Sequence, residues 1–162
     1  MCSSDLIAIN TARLAASFGY EPRVAMLSYS DFGEHRDDPE VIKVREAIAI
    51  VKKAWPSLTI DGEMQADTAV NSELAGTDFP FSAIQGDANV LIFPTLASGN
   101  IAYKLLRELG GATAVGPVLV GTARPVNVLA LGSTVSDIVN MAAITVNQAL
   151  EQEKLRAHPS ES

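Results

Sequence analysis

Residues 90–93, Val-Leu-Ile-Phe, form a short apolar run that Pro94 ends, and a helix-length segment follows at once. A run this short, with no polar alternation, suits a strand buried on both faces, as in a parallel sheet covered by helices. The same pattern recurs along the chain. Residues 24–27, Val-Ala-Met-Leu, lie behind Pro22 and run into a polar loop at 28–38. Pro39 then opens a long helix with Val41, Val44, Ile48, Val51 and Trp55 at helical spacing, and Pro56 closes it. Residues 58–60 predict a brief strand entering Asp61-Gly62-Glu63-Met64. Residues 67–74 read as helix, and 76–87 as a loop carrying a Phe79-Pro80-Phe81 plug.

Near the start, Ile7, Thr11, Leu14 and Phe18 share one helical face, and Gly19 is a stop. Ala102, Leu105, Leu106 and Leu109 make the inner stripe of the helix before Gly110-Gly111. After Arg124-Pro125 a further apolar strand leads to Gly132-Ser133. Ile138, Met141, Ala142, Thr145, Val146 and Ala149 line one face of a last helix, and the charged tail beyond Leu150 is expected to fray. Helices alternating with short apolar strands predict an α/β fold with a three-layer, mostly parallel sheet.

At 162 residues the chain is long enough to bury a core as one domain. Its net charge of −7 argues against a nucleic-acid partner, and an anionic ligand would need local positive potential. No apolar run approaches the roughly 20 residues of a membrane span. The single cysteine, Cys2, excludes an internal disulfide and fits a reducing compartment, so a cytoplasmic location is expected. There is no G-x-G-x-x-G after a strand and no P-loop. His35 stands in a charged loop and His158 in the tail, both without a triad context.

Four places could carry chemistry. Ser28-Tyr29-Ser30-Asp31-Phe32-Gly33 follows a strand, where α/β folds place ligand loops; it is either an anion-binding loop or a polar turn. Asp61-Gly62-Glu63-Met64-Gln65-Ala66-Asp67 places three carboxylates within seven residues. It reads as acid–base or metal chemistry, or as a loop in which Asp67 caps a helix. Gly99 and Asn100 lie near a helix start, which favours anions, and Lys104 adds charge; the segment reads equally as an anion site or as a structural helix start. Gly116-Pro117 reads as a kinked turn.

The blocks Phe93-Pro94 through Gly99-Asn100-Ile101-Ala102-Tyr103-Lys104, and Gly116-Pro117-Val118-Leu119 through Arg124-Pro125-Val126, resemble the phosphate acetyl/butyryltransferase family in order and spacing. Asp61-Gly62-Glu63-Met64-Gln65-Ala66-Asp67 also matches it. The resemblance implies an isocitrate/isopropylmalate dehydrogenase-like fold of two α/β subdomains flanking a cleft. It assigns residues 6–125 to the second subdomain and 126–152 to a segment returning to the first. Residues 1–5 fall outside it, 153–162 form a tail, and most of the first subdomain is missing, as in a fragment.

Within the family, acetyltransferases usually carry Thr-Lys where this chain has Asp31-Phe32, and Ser-Arg where it has Ala130-Leu131. The resemblance puts that serine and arginine at the reacting thioester and phosphate; a downstream acidic residue remains as Asp137. These departures are similar to the C-terminal domain of bacterial NADP-dependent malic enzymes. Ser30, Gly99, Asn100, Lys104, Gly116, Pro117, Gly132, Ser133 and Asp137 are then expected to bind acetyl-CoA as an allosteric inhibitor. No acetyl transfer by this chain is expected, and the domain would support a homo-oligomer. NADP and a divalent metal would belong to an oxidoreductase domain outside this chain. Two alternatives are a phosphate acetyltransferase with altered residues and an assembly domain without ligand.

Overall fold

The apolar runs become strands and the amphipathic stretches become helices. The structure, a computed structural model, describes residues 3–157; Cys2 and His158 lie outside the described residues. In chain order the elements are α1 (Ser3–Ser17), β1 (Arg23–Leu27), α2 (Pro39–Ala54), β2 (Thr59–Met64), α3 (Ala66–Val70), α4 (Ser72–Asp78), β3 (Val90–Ile92), α5 (Leu96–Glu108) and α6 (Val135–Ala157). The strands pair in parallel in the order β2-β1-β3, so this is an α/β fold with a parallel sheet. The chain forms two compact units that divide between Lys104 and Leu105.

In the first unit, alternate residues of β1 serve opposite faces, as strand geometry requires. Val24 and Met26 pack with Ile60, Val90 and Ile92 against Ala8 and Ala12 of α1 and Val44, Ala47, Ile48 and Val51 of α2. Ala25 and Leu27 face the other way and pack with Met64, Ala69 and Ile84; Phe32, Leu91 and Phe93 close that side. α2 starts where the sequence places it: Asp38 accepts the Glu40 N–H at 2.7 Å, and Pro39 occupies the first turn.

Four local expectations are corrected, one of them the inner stripe of α5, where Leu105, Leu106 and Leu109 are exposed. The buried face of α1 is Ala8 and Ala12, both 0% exposed, while Ile7 and Phe18 face outward. Small side chains let the helix lie close to the sheet, which the volume-blind apolar pattern did not register. Residues 67–74 are not one helix. Asn71 leaves helical geometry and its side chain accepts the Glu73 and Leu74 N–H groups at 3.1 and 3.2 Å, so α3 ends and α4 begins there. Gly86, at φ +73°, is folded so closely over this break that a Cβ would lie 2.2 Å from Asn71 C and Ser72 N.

The fourth correction falls in the second unit, where residues 126–131 form no strand. Side chains take the place of a ladder. The Leu119 N–H donates to Asn127 Oδ1 at 2.9 Å, and Asn127 Nδ2 donates to Thr145 Oγ1 and Gln148 Oε1 on α6. Gln148 Nε2 returns to the Leu119 carbonyl at 3.0 Å. Gln152 and Arg156 hold the carbonyls of Thr122 and Ala123, and α6 runs on to Ala157, past Leu150. Met141 is buried on α6, whereas Val135, Val139, Ala142, Val146 and Leu150 form an exposed stripe.

Candidate functional site

Parallel strands deliver their C-terminal ends to one edge, where the connecting loops gather. β1 ends at Leu27, β2 at Met64 and β3 at Ile92, and β1 is the middle strand. The loop after β1 is fastened to the end of β2. The Ser28 N–H donates to the Met64 carbonyl and the Phe32 N–H to the Glu63 carbonyl, both at 2.9 Å. The register between β1 and β2 is broken so that Leu27 pairs with Met64 and Glu63 is passed over. Such an irregularity re-aims a side chain. Here it turns the Glu63 carboxylate, 1% exposed, toward the loop.

Glu63 Oε1 accepts the Gly33 N–H and lies 3.5 Å from the Ser30 hydroxyl, while Arg45 stands 3.6 Å from Oε2 as counter-ion. Ser30 is 0% exposed and its oxygen also accepts the His35 N–H at 3.2 Å. Its hydroxyl therefore shapes the loop from inside. Asp31 is buried as well, and its carboxylate accepts the Gln65 N–H at 2.7 Å, which fixes the start of α3. Phe32 adopts a left-handed backbone, φ 40°, held by its ring against Phe79 and Phe81 at centroid separations of 5.2 and 5.0 Å. The Phe79-Pro80-Phe81 plug thus has a partner the sequence did not identify.

The outer part of the loop is tied to α2. The Tyr29 hydroxyl donates to Asp38 Oδ2 at 2.9 Å, and the His35 ring lies 4.9 Å from the Tyr29 ring. The Asp38 carboxyl is held below its ordinary value, first by the Tyr29 hydroxyl and then by the Glu40 N–H, and the Tyr29 hydroxyl is correspondingly raised.

The three carboxylates of the Asp61–Asp67 block have separate tasks. Asp61 pairs with Lys52 at 3.1 Å and accepts the Ala83 N–H at 2.8 Å. Glu63 serves the loop. Asp67 lies inside the first turn of α3, whose cap position is Gln65, so Asp67 is not the cap that the sequence suggested.

After β3, Thr95 and Ser98 cap α5 reciprocally: the Ser98 N–H donates to Thr95 Oγ1 at 3.1 Å and the Thr95 N–H to Ser98 Oγ at 3.3 Å. Gly99 lies in this first turn with the Phe93 side chain 3.5 Å from its Cβ position. Asn100 and Lys104 are exposed and one turn apart on the same helix face. Lys104 stands about 12 Å along the axis from Leu96, so its charge is set back from the helix start.

In the second unit, Gly116 and Pro117 belong to the coil before Leu119. Ala130 and Leu131 are exposed; Ser133 turns back on the Ala130 carbonyl with its N–H at 3.1 Å and its hydroxyl at 2.8 Å. Gly132 has open space at its Cβ position. Asp137 is engaged at the α6 N-terminus, where Oδ2 accepts the Thr134 N–H and hydroxyl, both at 2.8 Å. These bonds hold its carboxyl below the ordinary value. The motif Thr134-Val135-Ser136-Asp137 carries the capping-box pattern, a signal that could have assigned this role from sequence. Asn127 had no such signal.

Among the described residues, no helix is long and apolar enough to cross a membrane. A profile of the phosphate acetyl/butaryl transferase family matches residues 4–146. The chain is 49% identical over 150 residues to a phosphate acetyltransferase of Bacillus subtilis, covering 91% of this chain and 46% of that protein. The crystal structure of a phosphotransacetylase from Streptococcus pyogenes superposes with a TM-score of 0.88 at 45% identity, covering 93% of this chain and 45% of the other. The EutD phosphotransacetylase from Staphylococcus aureus gives 0.85 at 43% identity, covering 90% and 45%. The chain thus spans about half the length of the relatives it matches.

These relatives overturn the expectation of a malic enzyme regulatory domain, and with it the oxidoreductase and allosteric assignments. That expectation rested on four positions, Asp31-Phe32 and Ala130-Leu131, whereas identity over 91% of this chain follows an acetyltransferase. The structure also removes part of its basis, because the Asp31 charge is buried under the Gln65 N–H.

Proposed function

This chain belongs to the phosphate acetyl/butaryl transferase family, and from that premise we propose that the protein moves an acetyl group between the sulfur of CoA and an oxygen of phosphate. The observation that carries the reading is 49% identity to a phosphate acetyltransferase over 91% of this chain. The loop edge of the β2-β1-β3 sheet supports it, because it brings the N-terminus of α5 beside the loop after β1. Gly99 and Asn100 in the first turns of α5 receive an anionic group at the positive end of the helix dipole. Lys104, one turn on, attracts the phosphates of CoA.

The Ala130 and Leu131 side chains offer no donor to a developing oxyanion, and Leu131 is fully exposed. Loss of one such donor typically lowers the rate by about 10²–10³, so the reading is of a slow transferase. CoA-dependent exchange of labelled phosphate into acetyl phosphate tests it. Exchange proportional to protein is expected, and exchange at the protein-free rate would overturn it. The same reading has the protein bind acetyl-CoA and assemble as a homo-oligomer. The exposed α6 stripe supports assembly; Val139→Glu with Val146→Glu is expected to lower the mass seen by sedimentation, and an unchanged mass would exclude that stripe.

A further inference from the structure

We propose that Glu63 is a positioning residue: its buried carboxylate sets the ligand-receiving shape of the loop after β1 by holding Gly33 and Ser30 from inside. The proposal rests on the acyl-transfer reading for its activity readout. A carboxylate 1% exposed is costly unless hydrogen-bonded and charge-balanced. Glu63 meets that condition almost entirely with one loop. It takes the Gly33 N–H, faces the Ser30 hydroxyl at 3.5 Å, and has Arg45 at 3.6 Å, too long for a hydrogen bond but close enough for charge balance. The backbone carbonyl of the same residue takes the Phe32 N–H. Ser30 passes the restraint onward by accepting the His35 N–H. The Glu63 side chain therefore holds Gly33 directly and faces Ser30, which holds His35, while Asp31 and Phe32 are held by Gln65 and by Phe79 and Phe81.

A residue placed only to stabilise the sheet would be expected inside the strand ladder. Glu63 is instead the residue that the β1–β2 register skips, and its partners lie in the loop. The neutral isostere, Glu63→Gln, keeps the shape but not the charge. Its amide nitrogen must face either Arg45 or the Gly33–Ser30 side, and an N–H cannot accept the Gly33 N–H.

The test is Glu63→Gln in the purified protein, with Ser30→Ala as a milder variant should the first fail to fold. The folded variant is expected to show faster amide exchange at Gly33 and His35, with β1 and β2 amides unchanged. Misplacement of a positioned group by about 1 Å can cost about a hundred-fold, so KM for CoA should rise up to about a hundred-fold while kcat changes less. Ser30→Ala should shift the same observables in the same direction by less. Unchanged loop exchange in either folded variant, or a lowered melting temperature with unchanged KM, would overturn the proposal. If the wild type itself transfers no acetyl group, the acyl-transfer reading fails. Glu63 is then decided by CoA titration: protection of the Gly33 amide by CoA in wild type but not in Glu63→Gln supports it, and equal protection in both overturns it.

Discussion

Replacing Gly86 with alanine tests how closely the 85–87 segment lies over the break between α3 and α4. Gly86 sits at φ +73°, and an added Cβ would lie 2.2 Å from Asn71 C and Ser72 N and 2.5 Å from Asn71 O. All three atoms are backbone, so no side chain can swing aside. A left-handed alanine costs about 1–2 kcal/mol. Forcing backbone apart in a packed region adds about 1–3 kcal/mol. Moving Asn71 also disturbs its bonds to the Glu73 and Leu74 N–H groups, a cap worth about 1 kcal/mol. Together these reach about 3–6 kcal/mol, against a total stability of about 5–15 kcal/mol for a typical domain. The expected fall in Tm is about 10–20 °C.

Gly19→Ala is the control. Gly19 has φ +83° but nothing within 4 Å of its Cβ position, so it carries the conformational cost alone. Urea melts of both variants separate strain from collision. Gly86→Ala should lose at least about 2 kcal/mol more than Gly19→Ala. Equal losses would refute the close approach of the 85–87 segment to the α3–α4 break.

Other consequences follow from the same contacts. Asp137 has a carboxyl held below its ordinary 3.8 by Thr134; a depressed carboxyl gives stability above that value and loses it as pH falls through the folded one. The α6 N-terminus should therefore be unaffected from neutral pH down to about 4 and loosen below that, read from the Thr134 amide by NMR, and Asp137→Asn should flatten the profile. Tyr29→Phe removes the leading cause of the low Asp38 carboxyl, so Asp38 should move up toward its ordinary value in carboxyl NMR; an unmoved Asp38 would deny the Tyr29 bond. Ile60→Ala, at a site 1% exposed in the main core, should cost about 2–5 kcal/mol in urea melts.

Much of the first unit was legible from pattern alone. Pro22, Pro39, Pro56 and Pro94 bracket elements whose chemistry is local, and the strands at 24–27 and 90–92 needed only their apolar runs. The α1 face was misread because Ala8 and Ala12 win by being small, which a hydrophobicity count does not register. Residues 126–131 have strand composition, but their neighbours are engaged by Asn127 and Gln148, side chains whose partners lie 8 to 29 residues away. Gly99 and Asn100 near the start of α5, with Lys104 one turn on, could be placed on their helix from the sequence. The inward role of Ser30, Asp31 and Glu63 could not, because it depends on a register irregularity between two strands.

The most direct test of acyl transfer is the initial rate of acetyl-CoA formation from acetyl phosphate and CoA, for the purified protein and for Ala130→Ser with Leu131→Arg. Both should transfer, and the double variant should be faster by about 10²–10³ because side-chain donors are restored at positions that now offer none. Absence of transfer in both proteins, each shown to be folded, would contradict the account.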